Sequence, residues 1–434
     1  WDMEKLNAID WDKEGTYTVT GQAAVKDYPF PSIHDRADPA AIKFDGKYYF
    51  IATRDNGQQT VFNLRSADTL EDLANAAEVT LLSTSDGTDY KGCFWAPELH
   101  VINGKLSILA AISANGKWDD VQCHIITLDA GKDPMVKTNW NTPQRILRTD
   151  GSDLVNKDGA KMGISLDMTY LEDDGNHYYL WSARYTNNYA GTTGDAHIAI
   201  AKFDPSDPTR LITDPVIMSR PDFGWENAST NVDEGPYALK HNGRIFLTIS
   251  GSGTDSTYAV GLLEATPGTD LTDVANWEKT GYPILAQYHV PAQPGPGHNS
   301  FVKDEYGRDV LVFHSGTSGT GRDTGFRTVH YGFDGAPILY MTADRYLKAE
   351  YRTVKQIIKV SASYTVALNA NGGAVSPTSL ERKGGEEIGT LPNPTRSAHS
   401  FKGWYTEAVG GTIVTAATKV NGNMVVYAHW EPTG

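Results

Sequence analysis

The chain has little cysteine, no long apolar run, scarce helical periodicity and a shortage of positive charge. Cys93 and Cys123 are its only two cysteines in 434 residues. Thirty positions apart, they match no metal-ligand spacing and cannot build a disulfide framework, so two buried free thiols are expected. No run of about 18 apolar residues occurs, which excludes an ordinary membrane-spanning helix. The opening WDMEKLNAIDWD lacks a basic and apolar leader, as expected of a piece cut from a longer protein. Acidic residues number 53 against 38 basic ones, a net charge of -15, and they are scattered rather than blocked. A surface of this sign repels polyanions, so nucleic acid and phosphate-rich ligands are poor partners. The helical pattern is limited to one short candidate, SADTLEDLANAA at 66–77.

Turns and strands fill the rest, with 42 glycines and 22 tyrosines to build tight turns and an aromatic-lined pocket. A turn followed by a strand recurs five times: FDGKYYFIAT (44–53), INGKLSILAA (102–111), DDGNHYYLWSA (173–183), HNGRIFLTISG (241–251) and EYGRDVLVFHS (305–315). The turn glycines Gly46, Gly104, Gly175, Gly243 and Gly307 follow one another at intervals of 58, 71, 68 and 64 residues. A period of roughly 65 fits one four-stranded blade with its loops. The expected fold is therefore all-β, a five-bladed β-propeller over residues 28–359.

Just upstream of the turns stand Asp38, Glu98, Asp167, Glu234 and His298, which radial repetition would carry to one central pocket. Pro39 forces Asp38 out of the helical region. Asp167 sits among Ile164, Leu166 and Met168, where a carboxylate is costly unless paired. Gly235 and Pro236 after Glu234 permit close backbone approach and end local pairing, while Asp233 reads as a solvated turn residue. Three carboxylates at equivalent blade positions suit glycoside hydrolysis, in which one acid protonates the leaving oxygen and one carboxylate activates water or attacks the sugar. A third carboxylate would raise the acid's proton affinity by like-charge repulsion. The alternative is that these residues merely cap inner strands.

The segments RADPAAIKFDGKYYF, FWAPELHVINGK, SLDMTYLEDDGNHYYLW, SRPDFGWE, DEGPYALKHNGRIFLT and GPGHNSFV occur in the order found in family-43 glycoside hydrolases, and the stretch 34–340 resembles that family. The resemblance implies a five-bladed propeller acting on arabinose- and xylose-containing polysaccharides with inversion at the anomeric carbon. It makes Asp38 the general base, Glu234 the general acid and Asp167 the residue that tunes and positions the acid. It further implies Trp95 as a wall of the sugar pocket, His298 near substrate or a central water or ion, and Arg327 as an arginine reaching into the site. Glu98 is read as a structural partner of neighbouring strands. No cofactor and no metal site are expected, apart from a structural cation that His298 could help hold. WAPELH, SRPDFGWE and GPGHNSF look most like the exo-acting α-L-arabinofuranosidases. His34-Asp35 and the TGRDTGFRT loop, which ends at Thr328, depart from the pattern and are expected to border the entrance. A β-xylosidase or endo-arabinanase on the same scaffold, and a propeller that only binds carbohydrate, are the rival readings.

Two flanking pieces complete the expected organisation. Residues 1–23 end in GTYTVTGQAAV and resemble the closing strands of a bacterial immunoglobulin-like module. Residues 364–434, with NGG, FKGWY and YAHW, resemble the Listeria-Bacteroides repeat, a small β-grasp-like module of cell-surface proteins. Trp404 and Trp430 there are either a sugar platform or the core of a small domain. The expected setting is an extracellular or cell-wall-attached bacterial protein whose partner is an arabinose-containing polysaccharide.

Overall fold

The structure is a computed structural model that describes residues 1–11, 14–22, 28–57, 59–155, 163–185, 195–317, 321–342 and 353–434. The chain divides into two compact units, one over 26–346 and one formed by 1–25 with 347–434.

In the larger unit five antiparallel sheets of three or four strands follow one another along the chain, each pairing its strands in sequence order, and a two-stranded ladder of His330–Tyr331 with Pro337–Ile338 comes after them. The first strands are Arg36–Phe44, Gly92–Ile102, Gly163–Asp173, Asp233–His241 and Gly297–Lys303. Four of the sheets have four strands, and the fifth has three among the described residues. The first strands of successive sheets pack side by side, and that of the fifth packs back on that of the first. Ile33, ahead of the first strand, bridges to Thr324 in the last sheet. Their pairing ties the beginning of this unit to its end.

Sequence explains this packing strand by strand. The second strand of the first sheet, KYYFIATR, is almost entirely apolar because both its faces are covered. Tyr49 and Ile51 point into a core shared with the second sheet, while Tyr48 and Phe50 point into a core shared with the fifth. Comparable cores join the second sheet to the third, the third to the fourth and the fourth to the fifth. The repeated turns are tight because their two central residues accept positive φ: Asp45-Gly46, Asn103-Gly104, Asp174-Gly175 and Asn242-Gly243. The fifth turn is wider. It closes between Lys303 and Asp309, with Asp304 accepting the N–H groups of Tyr306 and Arg308.

The helix expected over 66–77 reduces to a single 3-10 turn at Asp72–Asn75, because Ser66 and Ala67 complete the strand Val61–Ala67 and a new strand begins at Glu78. Of the two thiols, Cys123 is buried between sheets and Cys93 is partly exposed, and both are free.

In the smaller unit Gly15–Gln22 pairs antiparallel with Thr353–Val360. A mixed five-stranded sheet follows, in which Ser363–Asn369 runs parallel to Met424–Pro432. Val366, Leu368, Ile388, Trp404, Val420 and Val426 form its core. Trp404 donates to the Pro392 carbonyl and Trp430 to that of Ala370, so both indoles are spent on this small core.

Candidate active site

Each first strand carries a β-bulge near its beginning. The register slips between Ala37 and Ala40, Trp95 and Glu98, Leu166 and Thr169, Glu234 and Tyr237, and Gly297 and Ser300. In every case the first bulged residue has positive φ: Asp38 (50°), Ala96 (42°), Asp167 (54°), Gly235 (54°) and His298 (42°). A bulge re-aims side chains at the edge of a sheet. Five in register turn the ends of the first strands toward one place.

This corrects the equivalence expected from sequence. Asp38, Asp167 and His298 occupy the same bulge position, but Glu234 precedes it by one residue and Glu98 follows it by two. Glu98 is buried and held by His100, 2.6 Å from its Oε2. Asp233, expected to be solvated, is fully buried and accepts from Ser219 at 2.6 Å and Lys279 at 3.0 Å.

Asp38 is surrounded by positive and polar groups. Its Oδ1 lies 3.1 Å from Arg322 Nη1, 3.3 Å from His298 Nδ1 and 3.2 Å from His314 Nδ1. The Asp38 amide also donates to His314 Nδ1 at 3.1 Å. Burial opposes its ionisation, but Arg322 and then His298 outweigh that penalty and hold the carboxyl well below the usual range. Burial pushes His314 down to about 4, so it is neutral. His298, by contrast, is raised: burial opposes its charge, but Asp38 and then Asp167 and Glu234 prevail.

Asp167, Glu234 and His298 offer ligand atoms that all lie within 4.8 Å of one another. Asp167 Oδ2 accepts the Gly235 N–H at 3.2 Å, and Tyr258 donates to Glu234 Oε1 at 2.7 Å. Burial pushes Asp167 up to about 8, a rise that His298 opposes and that Glu234 and Asp38 reinforce. Asp167 therefore retains its proton into the neutral range, while Asp38 nearby is ionised. Two carboxylates and an imidazole so spaced could also hold a cation. Metal binding needs deprotonated ligands, however, and would compete with the proton that Asp167 retains.

The remaining expected residues are placed as follows. Trp95 is half-buried beside Leu166 on a small cluster of Ala111, Val121 and Ile164, with its indole N–H on Gln59. His298 Nε2 is buried with no hydrogen-bond partner among the described residues. Arg327 is held away from the carboxylates: it donates to the Leu339 carbonyl and Gln293, and its guanidinium covers the Phe313 ring. The arginine on Asp38 is Arg322, five positions earlier on the strand Gly321–Thr328 and so on its opposite face. Arg322, Tyr258 and His314 escaped the sequence reading because each is a lone residue, two of them on strands and Tyr258 just ahead of the strand Ala259–Ala265. One signal was present for His314, a polar group inside the apolar run VLVFHS. The two segments expected at the entrance meet each other, Asp323 accepting the Asp35 N–H at 2.9 Å and lying 3.3 Å from His34.

Relatives share this scaffold. Residues 31–337 match the glycosyl hydrolases family 43, and residues 364–429 match the Listeria-Bacteroides repeat domain. The chain is 35% identical over 291 residues to an extracellular exo-alpha-(1->5)-L-arabinofuranosidase of Streptomyces chartreusis, covering 66% of this chain and 82% of the relative. A protein of the same name from Streptomyces avermitilis is 32% identical, with 71% of this chain and 62% of that protein covered. Alpha-L-arabinofuranosidase 43 of Humicola insolens is 33% identical, with 69% and 56% covered. The crystal structure of an alpha-L-arabinofuranosidase from Lactobacillus brevis superposes with a TM-score of 0.63 at 32% identity, covering 74% of this chain and 99% of that one. No described helix is long and apolar enough to cross a membrane. With its five bulged strands converging on Asp38, Asp167, Glu234 and His298, this chain belongs to glycosyl hydrolase family 43.

Proposed function

We propose that the chain is an exo-acting, inverting α-L-arabinofuranosidase that removes terminal L-arabinofuranose from arabinose-containing polysaccharide side chains. The observation that carries this reading is the opposite tuning of neighbouring carboxyl groups: Asp38 is held ionised by Arg322 and His298, while burial keeps a proton on Asp167, which stands beside Glu234. Asp38 as general base takes a proton from water, which attacks the anomeric carbon on the face opposite the glycosidic oxygen. Glu234 gives its proton to that oxygen as the bond breaks. The leaving alcohol departs neutral, and the sugar's configuration inverts. Asp167 stands beside the acid and, through the Gly235 N–H, fixes the strand that bears it. The unpartnered Nε2 of buried His298 suits a sugar hydroxyl, and Trp95 suits the wall of the pocket.

The consecutive sheets, the packing of the fifth first-strand on the first and the Ile33–Thr324 bridge all support a five-bladed propeller. The domain reading that accompanies it is a remnant over 1–23, the propeller over 28–359 and a β-grasp-like surface module over 364–434. The names of the Streptomyces relatives support an extracellular, bacterial setting. Release of arabinose and xylose from a panel of nitrophenyl glycosides, arabinan and arabinoxylan tests the activity. Arabinose from the arabinofuranoside and from arabinan is expected; xylose as the main product would refute the substrate.

A further inference from the structure

Two fully buried groups at the site have no part in the mechanism above. Tyr258 and His314 are 1% and 0% exposed. The Tyr258 hydroxyl donates to Glu234 Oε1 at 2.7 Å, and its ring stacks on His314 with centroids 5.5 Å apart and planes 6° from parallel. His314 Nδ1 in turn accepts the Asp38 amide N–H at 3.1 Å. An unbroken chain of contacts thus runs from the acid through a phenol and an imidazole to the base. Its middle cannot swing, because Gly297 lies so close that a Cβ there would stand 2.5 Å from the Tyr258 ring.

A protonated carboxyl has one oxygen that carries hydrogen and one that only accepts. With Tyr258 donating to Oε1, the proton of Glu234 belongs on Oε2. We propose that Tyr258 is a positioning residue that reserves Oε1 as acceptor, leaves Oε2–H for the leaving oxygen and, through its stack on His314, holds acid and base at a fixed separation. The proposal rests on Glu234 being the acid. Burial raises Tyr258 well above the usual tyrosine range, so it remains a donor at working pH. The titratable and charged groups around it are Glu234, Asp167, Asp38, His314 and Arg322, with His298 beyond His314.

Tyr258→Phe keeps the ring stack and removes only the hydroxyl. Because that hydroxyl donates to a carboxylate, its loss disfavours ionisation, and the basic limb of kcat/KM moves to higher pH. Turnover of an alkyl arabinofuranoside is expected to fall about tenfold to a hundredfold, the loss matching a hydrogen bond to a charged group. KM should change little, and a dinitrophenyl arabinofuranoside, which needs little protonation, should lose much less. An unmoved limb with equal losses on both substrates would reduce Tyr258 to packing and overturn the proposal. Glu234→Gln measured in parallel separates the two failures. If that variant retains alkyl-glycoside turnover, the acid assignment itself falls; if it loses that turnover while the Tyr258→Phe limb stays still, only the tyrosine's role falls.

Discussion

Arg322 binds Asp38 and Asp55 with one guanidinium, Nη1 lying 3.1 Å from Asp38 Oδ1 and Nη2 lying 3.0 Å from Asp55 Oδ1. All three side chains are more than nine-tenths buried, so this arginine is the cation that keeps the Asp38 carboxyl ionised. Because Arg322 lowers the proton affinity of Asp38, removing it raises that affinity. Arg322→Met should therefore move the acidic limb of kcat/KM to higher pH, whereas Arg322→Lys should preserve most of the limb. Arg327→Met should lower thermal stability without moving the limb. The reverse pattern would make Arg327 the arginine that reaches into the site.

Asp167 gives a prediction of opposite sign. Its folded-state carboxyl is raised to about 8, so it favours the fold most at acid pH and loses that contribution as pH rises toward 8. Asp167→Asn removes a group whose ionisation opposes folding, so the melting temperature of the variant relative to the natural protein should increase from acid to alkaline pH. It also removes the carboxyl group beside Glu234, so the basic limb of kcat/KM should move to lower pH. A limb that stays in place in the folded variant would leave Asp167 a purely geometric role.

The roles of Asp38 and Glu234 separate by leaving group. Both Asp38→Asn and Glu234→Gln should lower turnover by about two to four orders of magnitude. A very acidic leaving group should restore much of the Glu234→Gln activity and none of the Asp38→Asn activity. Equal losses on activated and unactivated substrates would contradict the assignment.

Much of this site is legible in the sequence because polar residues inside apolar strands carry a desolvation cost that only a partner relieves. Asp167 among Ile164, Leu166 and Met168 was readable on that ground, and it lies in the cluster with Glu234 and His298. The exact register was harder to read, since a bulge adds a residue without any fixed side-chain signature. In retrospect Asp38-Pro39, Ala96-Pro97 and Gly235-Pro236 mark it, with positive φ on the residue before each proline. Aligning those pairs puts Ala96 in the place first given to Glu98. Arg322 and Arg327 stand on one strand with opposite faces, and which face meets Asp38 depends on how two sheets 284 positions apart in sequence are brought together. Asp233 looked like a turn residue because Lys279 and Ser219, its partners, come from distant strands.

Inversion in a single displacement requires the Asp38 and Glu234 carboxyl groups to stand about 6.5–9.5 Å apart, with water between base and sugar. Proton NMR of the first sugar released from an α-(1→5)-linked L-arabino-oligosaccharide tests this most directly, before the anomers equilibrate. The account predicts free arabinose as the first product, appearing as the β-anomer. Initial appearance of the α-anomer would mean retention through a covalent intermediate, and release of shorter oligosaccharides without free arabinose would contradict exo action.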